Sequence, residues 1–157
     1  MHITFDTSYG RITMEEEDHM VSRLYFTHLY PNYSITEKPS LFLRQAAWEV
    51  QEYLEGRSRN LYVPVKADCP HFISTIWDGI RRIGYGKTAT PLQITGGLKN
   101  PMPAAAVALA CRRNPVPILI PTHRVVGVRN SMDDSGPDGA MLRRKLLAME
   151  MALQNRN

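Results

Sequence analysis

The densest set of groups able to do chemistry lies in one short run, Arg113-Asn114-Pro115-Val116-Pro117-Ile118-Leu119-Ile120-Pro121-Thr122-His123-Arg124-Val125-Val126-Gly127. A hydroxyl and an imidazole stand side by side in it, at Thr122 and His123. Threonine is a nucleophile in some hydrolases when a nearby amine or base takes its proton, so the pair admits a His123-assisted hydrolysis. Against that, a secondary alcohol stays protonated near neutrality, its oxygen sits on a branched carbon, and the chain carries no oxyanion-hole signature. The two thiols, Cys69 and Cys111, lie far apart and form no Cys-x-x-Cys pair, which speaks against both a disulfide framework and a zinc site. Neither a metal nor an organic cofactor is called for.

A second group of residues suits contact with a polyanion. Thr90 followed by Pro91 is a helix cap followed by proline at the first helical position, and the short segment after it runs into Gly96-Gly97. Another helix candidate starts at Pro103 and continues through Ala104-Ala105-Ala106-Val107-Ala108-Leu109-Ala110, with Arg112 and Arg113 at its end. Two short helices joined by a glycine-containing turn outline a helix-turn-helix. The second helix lacks the Arg, Asn or Gln that would read base edges in a major groove. Its smooth alanine surface suits close, sequence-blind contact with a minor groove. The competing reading is an alanine-rich helix buried tightly against its neighbours, with Arg112 and Arg113 a solvated helix end favoured by the helix dipole. The net charge of +4 agrees with a polyanionic partner but is common elsewhere.

The elements that must position these groups follow from periodicity. Early in the chain, His2-Ile3-Thr4-Phe5, Arg11-Ile12-Thr13-Met14 and Val21-Ser22-Arg23-Leu24-Tyr25-Phe26 read as strands of a small antiparallel sheet, with Ser8-Tyr9-Gly10 as the turn between the first two. Leu43, Ala46, Ala47, Val50 and Leu54 recur at helical spacing, predicting a helix from about Ser40 to Glu55 with Gly56 as a left-handed stop. Leu61-Tyr62-Val63-Pro64-Val65 is strand-like and leads to the second half. From Phe72 onward Ile73, Ile76, Trp77, Ile80 and Ile83 form one apolar stripe that ends at Gly84 and Gly86. The expected fold is an α/β N-terminal domain with a small antiparallel sheet, residues 1–68, and a mostly helical C-terminal domain with the helix-turn-helix, residues 69–157. With 43% hydrophobic and 22% charged residues in 157, the chain reads as soluble, and no apolar run approaches a membrane helix. The start of the chain lacks the order of a signal peptide, so the expected location is cytoplasmic or nuclear.

The run from Asn114 to Val126 resembles the active-site loop of the O6-alkylguanine-DNA alkyltransferases, whose pattern is Asn-Pro, a short apolar strand, then Pro-Cys-His-Arg-Val. Phe72 and Trp77 match that family's Phe-x-x-x-x-Trp helix, Tyr85-Gly86 its aromatic-glycine turn, and Leu146-Leu147 with Glu150 its closing helix. The helix ending Glu52-Tyr53-Leu54-Glu55-Gly56-Arg57 extends the likeness to the first half. The resemblance implies a minor-groove helix-turn-helix, a damaged guanine rotated out of the stack, and a cysteine thiolate that takes the alkyl group permanently. It places His123 and Glu150 in the activating relay, and puts Asn114 with them in the site. The base pocket it implies includes Val125, Gly136 and Pro137, and the DNA contacts fall on Thr90, Pro91, Ala104, Ala105, Ala108, Arg112 and Arg113.

Thr122 stands where the family has its cysteine, so alkyl transfer is not expected. Other functional positions differ as well: Ala105 aligns with the arginine that fills the vacated stack, Pro91 with the tyrosine that promotes base rotation, and Asp134-Ser135-Gly136-Pro137-Asp138-Gly139 with the family's Gly-Tyr-x-Gly-Gly loop. An unfilled stack costs a few kcal/mol or so, which weakens lesion binding. Acidic Asp133, Asp134 and Asp138 oppose a phosphate backbone. Without the nucleophile, His123 and Glu150 read as a structural hydrogen bond that fixes the loop against the last helix. The expected function is a non-catalytic homologue that binds double-stranded DNA, with alkylated DNA and repair proteins as candidate partners. The alternatives are a degenerate protein-interaction scaffold and, if Thr122 replaces a native cysteine, an active suicidal methyltransferase.

Overall fold

The computed structural model describes residues 1–26, 38–128 and 137–155. By its contacts the chain divides into two compact units, Met1–Ala67 and Asp68–Asn157.

In the first unit, β1 (His2–Thr7), β2 (Gly10–Glu17) and β3 (Met20–Phe26) form an antiparallel sheet in the order β1-β2-β3. Thr4 faces Thr13 across the first pair, and Met14 faces Leu24 across the second. The β2–β3 hairpin turns on Asp18 and His19, both left-handed at φ 54° and 59°, the conformation that two-residue hairpin loops need to match strand twist. Ser8 and Tyr9 form the β1–β2 turn, where the sequence predicts one. Glycine at position 10 adopts φ 124°, and the Thr7 hydroxyl donates to the Gly10 carbonyl at 2.6 Å, closing the chain on itself. Helix α1 (Leu41–Leu54) starts at Ser40, whose hydroxyl oxygen accepts from the Leu43 N–H at 3.0 Å, and stops before Gly56 at φ 78°. Its buried stripe of Leu43, Ala46, Ala47, Val50, Tyr53 and Leu54 packs on β1 and β2, where Ile12 and Met14 are fully buried. The strand read over residues 61–65 reduces to a bridge between Val65 and Val21. Pro64 has no N–H to give, and its carbonyl takes the Val21 N–H instead.

In the second unit, α2 (His71–Arg81) buries Ile73, Ile76, Trp77 and Ile80, each worth roughly 1.5–3 kcal/mol for a side chain of that size. Trp77 also donates its indole N–H to the Ala110 carbonyl at 2.8 Å, tying α2 to α4 (Ala104–Arg112). Between them α3 (Pro91–Gly96) begins with a reciprocal cap: the Thr90 hydroxyl accepts from the Gln93 N–H, and the Gln93 side-chain carbonyl accepts from the Thr90 N–H. Helices α3 and α4 pack together as a helix-turn-helix, both against α2. The last helix, α5 (Pro137–Gln154), packs on a single 3-10 turn at Thr122–Arg124. Among the described residues no helix is long and apolar enough to cross a membrane.

Candidate functional site

Asn114 organises the loop that carries Thr122. Its side-chain oxygen accepts from the Val116 N–H at 2.9 Å, while its amide nitrogen donates to the Ile120 carbonyl at 2.9 Å and to the Thr122 hydroxyl at 3.0 Å. The apolar segment between them is no strand. It folds back so that the Ile120 N–H reaches the Val116 carbonyl, which puts Ile118 at φ 76°. A β-branched residue in that region is strained, and it persists because Val116 and Ile120, fully buried, hold the loop from both sides. Thr122 then begins the 3-10 turn with no exposed surface.

His123, on the same turn, is fully buried, and its Nε2 lies 2.8 Å from the Glu150 carboxylate. Arg124 grips the same carboxylate with two nitrogens, Nε at 2.8 Å and Nη2 at 2.9 Å, and donates its third to the Ile83 carbonyl at 3.0 Å. The Gly86 N–H completes the ring of donors at 3.1 Å. Glu150 therefore accepts hydrogen bonds from three residues, all donors, which favours the carboxylate anion in an interior that would otherwise reject it. Since a carboxylate has no proton to give, the imidazole donates through Nε2. Burial pushes the His123 pKa below the ordinary 6.5, against the opposing pull of Glu150 and helped by the positive charges of Arg124 and Arg143. The resulting site carries a neutral imidazole next to an alcohol in the chain: the imidazole can take a proton, but there is no thiol at position 122 to take it from.

Sequence reasoning placed Asn114, Thr122, His123 and Glu150 together through the resemblance, and the geometry brings them together. It did not reach the Arg124 clamp or the Gly86 donor. A signal was present: Glu150 occupies the buried stripe of α5 with Leu142 and Leu146, and a lone carboxylate in such a stripe demands cationic partners. Gly86 sits at φ 75°, where a Cβ would overlap the Gln154 side-chain amide. Gly86→Ala is accordingly expected to destabilise the second unit by about 1–3 kcal/mol, from left-handed strain and displacement of the donor to Glu150. Urea unfolding checks this; an unchanged midpoint would mean that the turn relaxes freely.

Of the residues expected at DNA, Thr90, Ala105, Arg112 and Arg113 are exposed, and Pro91, Ala104 and Ala108 are half-buried. The alanine helix is thus not packed away: only Val107, Ala110 and Cys111 are buried along α4. Among the described residues neither Arg112 nor Arg113 forms an ion pair, whereas Arg11, Arg57 and Lys66 of the first unit are each matched to carboxylates. Val125 is fully buried behind the 3-10 turn, its backbone bridged to Ala89. Pro137 opens α5, while Gly136, Asp133 and Asp134 lie outside the described residues. Burial raises the Cys111 thiol to about 12, so it stays protonated and is no displaced nucleophile. The other thiol, Cys69, is half-buried.

A family model described as 6-O-methylguanine DNA methyltransferase, DNA binding domain, matches residues 71–152. The methylated-DNA–protein-cysteine methyltransferase of Methanosarcina acetivorans is 32% identical over 91 residues, a match that spans 58% of either chain. That of Archaeoglobus fulgidus is 30% identical over 125 residues, covering 77% of this chain and 80% of its own. Among solved structures, the Mycobacterium tuberculosis O6-methylguanine methyltransferase superposes with a TM-score of 0.80 at 24% identity, covering 97% of this chain and 94% of the other. The structure of Mycobacterium tuberculosis OGT in complex with DNA gives 0.76 at the same identity, over 97% and 93%.

Proposed function

Because the chain belongs to the family of 6-O-methylguanine DNA methyltransferases, we propose that it is a non-catalytic member that binds duplex DNA through α3 and α4 and acts in the repair of alkylated DNA without transferring the alkyl group. The observation that carries this reading is Thr122, held by Asn114 beside the His123–Glu150 pair in an otherwise complete polar framework. Alkyl transfer needs a polarisable anion to attack carbon, and an alcohol beside a neutral imidazole supplies none. The framework survives because it braces the loop and α5, which leaves the exposed faces of α3 and α4 with their function intact. Small side chains on α4 let its backbone approach a groove closely, and the exposed Arg112 and Arg113 supply charge for phosphates. With Ala105 in place of an arginine, nothing on α4 fills the stack behind an extruded base, which supports binding with little preference for a lesion.

Fluorescence anisotropy with matched duplexes containing guanine or O6-methylguanine, at low and physiological salt, tests the proposal. The expected result is steeply salt-sensitive binding of similar strength on both. Arg112→Ala with Arg113→Ala should weaken it several-fold and flatten the salt dependence by roughly two phosphate contacts. Absence of binding at low salt would sink the proposal in favour of a protein-interaction scaffold. That second reading draws on Leu41 and Trp48, 80% and 55% exposed and two turns apart on α1.

A further inference from the structure

An open cleft of about 310 Å³ lies between the end of α2, the segment after it, and α3. Its polar lining is Arg82, Lys87, Thr88 and Gln93, and its apolar floor includes Ile83 and Leu98. No carboxylate lines it. Among the described residues Arg82 and Lys87 form no ion pair, although the neighbouring Arg81 is matched to Asp78. The Gln93 side chain spends its oxygen on the Thr90 N–H, which leaves its amide hydrogens available as donors. At the end of α2 the Gly79 and Ile80 carbonyls accept from the N–H groups of Arg82 and Ile83, so they set no bare acceptors against an anion.

This combination is selective. Two cations with no ion pair among the described residues, a hydroxyl and an amide donor line one opening, which suits a phosphate. The apolar floor suits a flat, uncharged group attached to it. The volume, at the small end of the roughly 300–1,000 Å³ usual for ligand sites, admits one nucleotide and excludes a duplex. The wall of the cleft is also tied to the loop that carries Thr122: the Ala89 N–H donates to the Arg124 carbonyl at 3.0 Å, and the Ala89 carbonyl accepts from Val126 at 2.9 Å.

We infer that the α2–α3 cleft is a second binding site, separate from the exposed face of α4, which takes a single nucleotide with its phosphate on Arg82, Lys87, Thr88 and Gln93 and its base on Ile83 and Leu98. The nucleotide comes either from a free monophosphate or from an unpaired strand, and the chemistry of recognition is the same for both. Titration of the isotope-labelled full chain with thymidine monophosphate should shift the amides of Lys87, Thr88 and Gly97. Arg82→Ala with Lys87→Ala, both at exposed positions, should weaken binding by about tenfold or more, as the loss of charge-assisted hydrogen bonds implies. Arg112→Ala with Arg113→Ala should leave it within about twofold, by the independence of distant sites. Tighter binding of hexathymidylate than of the monophosphate supports a strand as the source, and equal binding supports the free nucleotide. Shifts absent from the cleft, or inorganic phosphate binding as well as the nucleotide, would overturn the inference. Failure of duplex binding with these shifts retained would count against the proposed function alone.

Discussion

Glu150→Ala is expected to destabilise the second unit by about 3–5 kcal/mol, the usual result of removing one partner from a buried ion pair. Glu150 has no exposed surface, and its loss removes one acceptor from three donors at once: the Arg124 guanidinium, the His123 imidazole and the Gly86 N–H. Arg124 keeps the Ile83 carbonyl and the face of Tyr85, 5.7 Å from its guanidinium carbon to the ring centroid. Glu150→Gln keeps the volume but loses the charge, and its amide hydrogens would point at a donor, so it should recover only part of the loss. Denaturant unfolding followed through Trp77, buried in this unit, gives the readout. A loss under about 1 kcal/mol for the alanine variant would show that the network is not a brace.

The same buried pair sets a pH dependence of definite sign. His123 is held below 6.5 in the folded chain, so between its two pKa values the unfolded state binds more protons and stability rises with pH. The contribution is complete above 6.5 and is lost as the pH falls through that value toward the folded pKa. The charges near the ring oppose one another, Glu150 raising its pKa and Arg124 and Arg143 lowering it, and burial decides the outcome.

Thr122→Cys should produce the largest change in chemistry, from no adduct to one covalent adduct per chain on incubation with free O6-benzylguanine. The substitution puts sulfur where the Asn114 amide already donates and where a neutral imidazole stands next in the chain, able to take the thiol proton. The new sulfur–carbon bond forms as the bond between carbon and the guanine oxygen breaks, and the guanine leaves with the proton. A free base needs no extrusion from a duplex, so the absence of an arginine at position 105 carries no penalty in this assay. On duplex substrate the same variant should be slow, because the vacated stack stays unfilled. Intact-mass analysis distinguishes the outcomes, and Cys111, with its thiol pushed up to about 12, should stay unmodified. No adduct would mean that the guanine pocket itself is gone, and non-catalytic status would then rest on more than the missing thiol.

Much of the molecule could be read without its structure because the forces concerned act over a few residues. Ser40 and Gly56 bound α1, and Thr90 with Gln93 opens α3, since a cap is satisfied within one turn and its residue types announce it. The alternating and helical stripes located the sheet, α1 and α2 for the same reason. Where a local signal was ambiguous, the reading failed. Residues 61–65 have the composition of a strand yet form one bridge, and residues 116–120 fold into a loop with Ile118 left-handed, because their partners lie elsewhere in the chain.

The sequence by itself determined the family resemblance, the absence of a thiol at position 122 and the two short helices with their alanine face. Only the tertiary structure decided what Glu150 does. Its donors come from Gly86, 64 residues away, and from His123 and Arg124, 27 and 26 away, and no local pattern records contacts at such separations. The α2–α3 cleft is the same kind of fact. Arg82, Lys87 and Gln93 look like ordinary surface residues one by one, and only the packing of α3 against α2 brings them to the lining of a shared opening without a carboxylate in it.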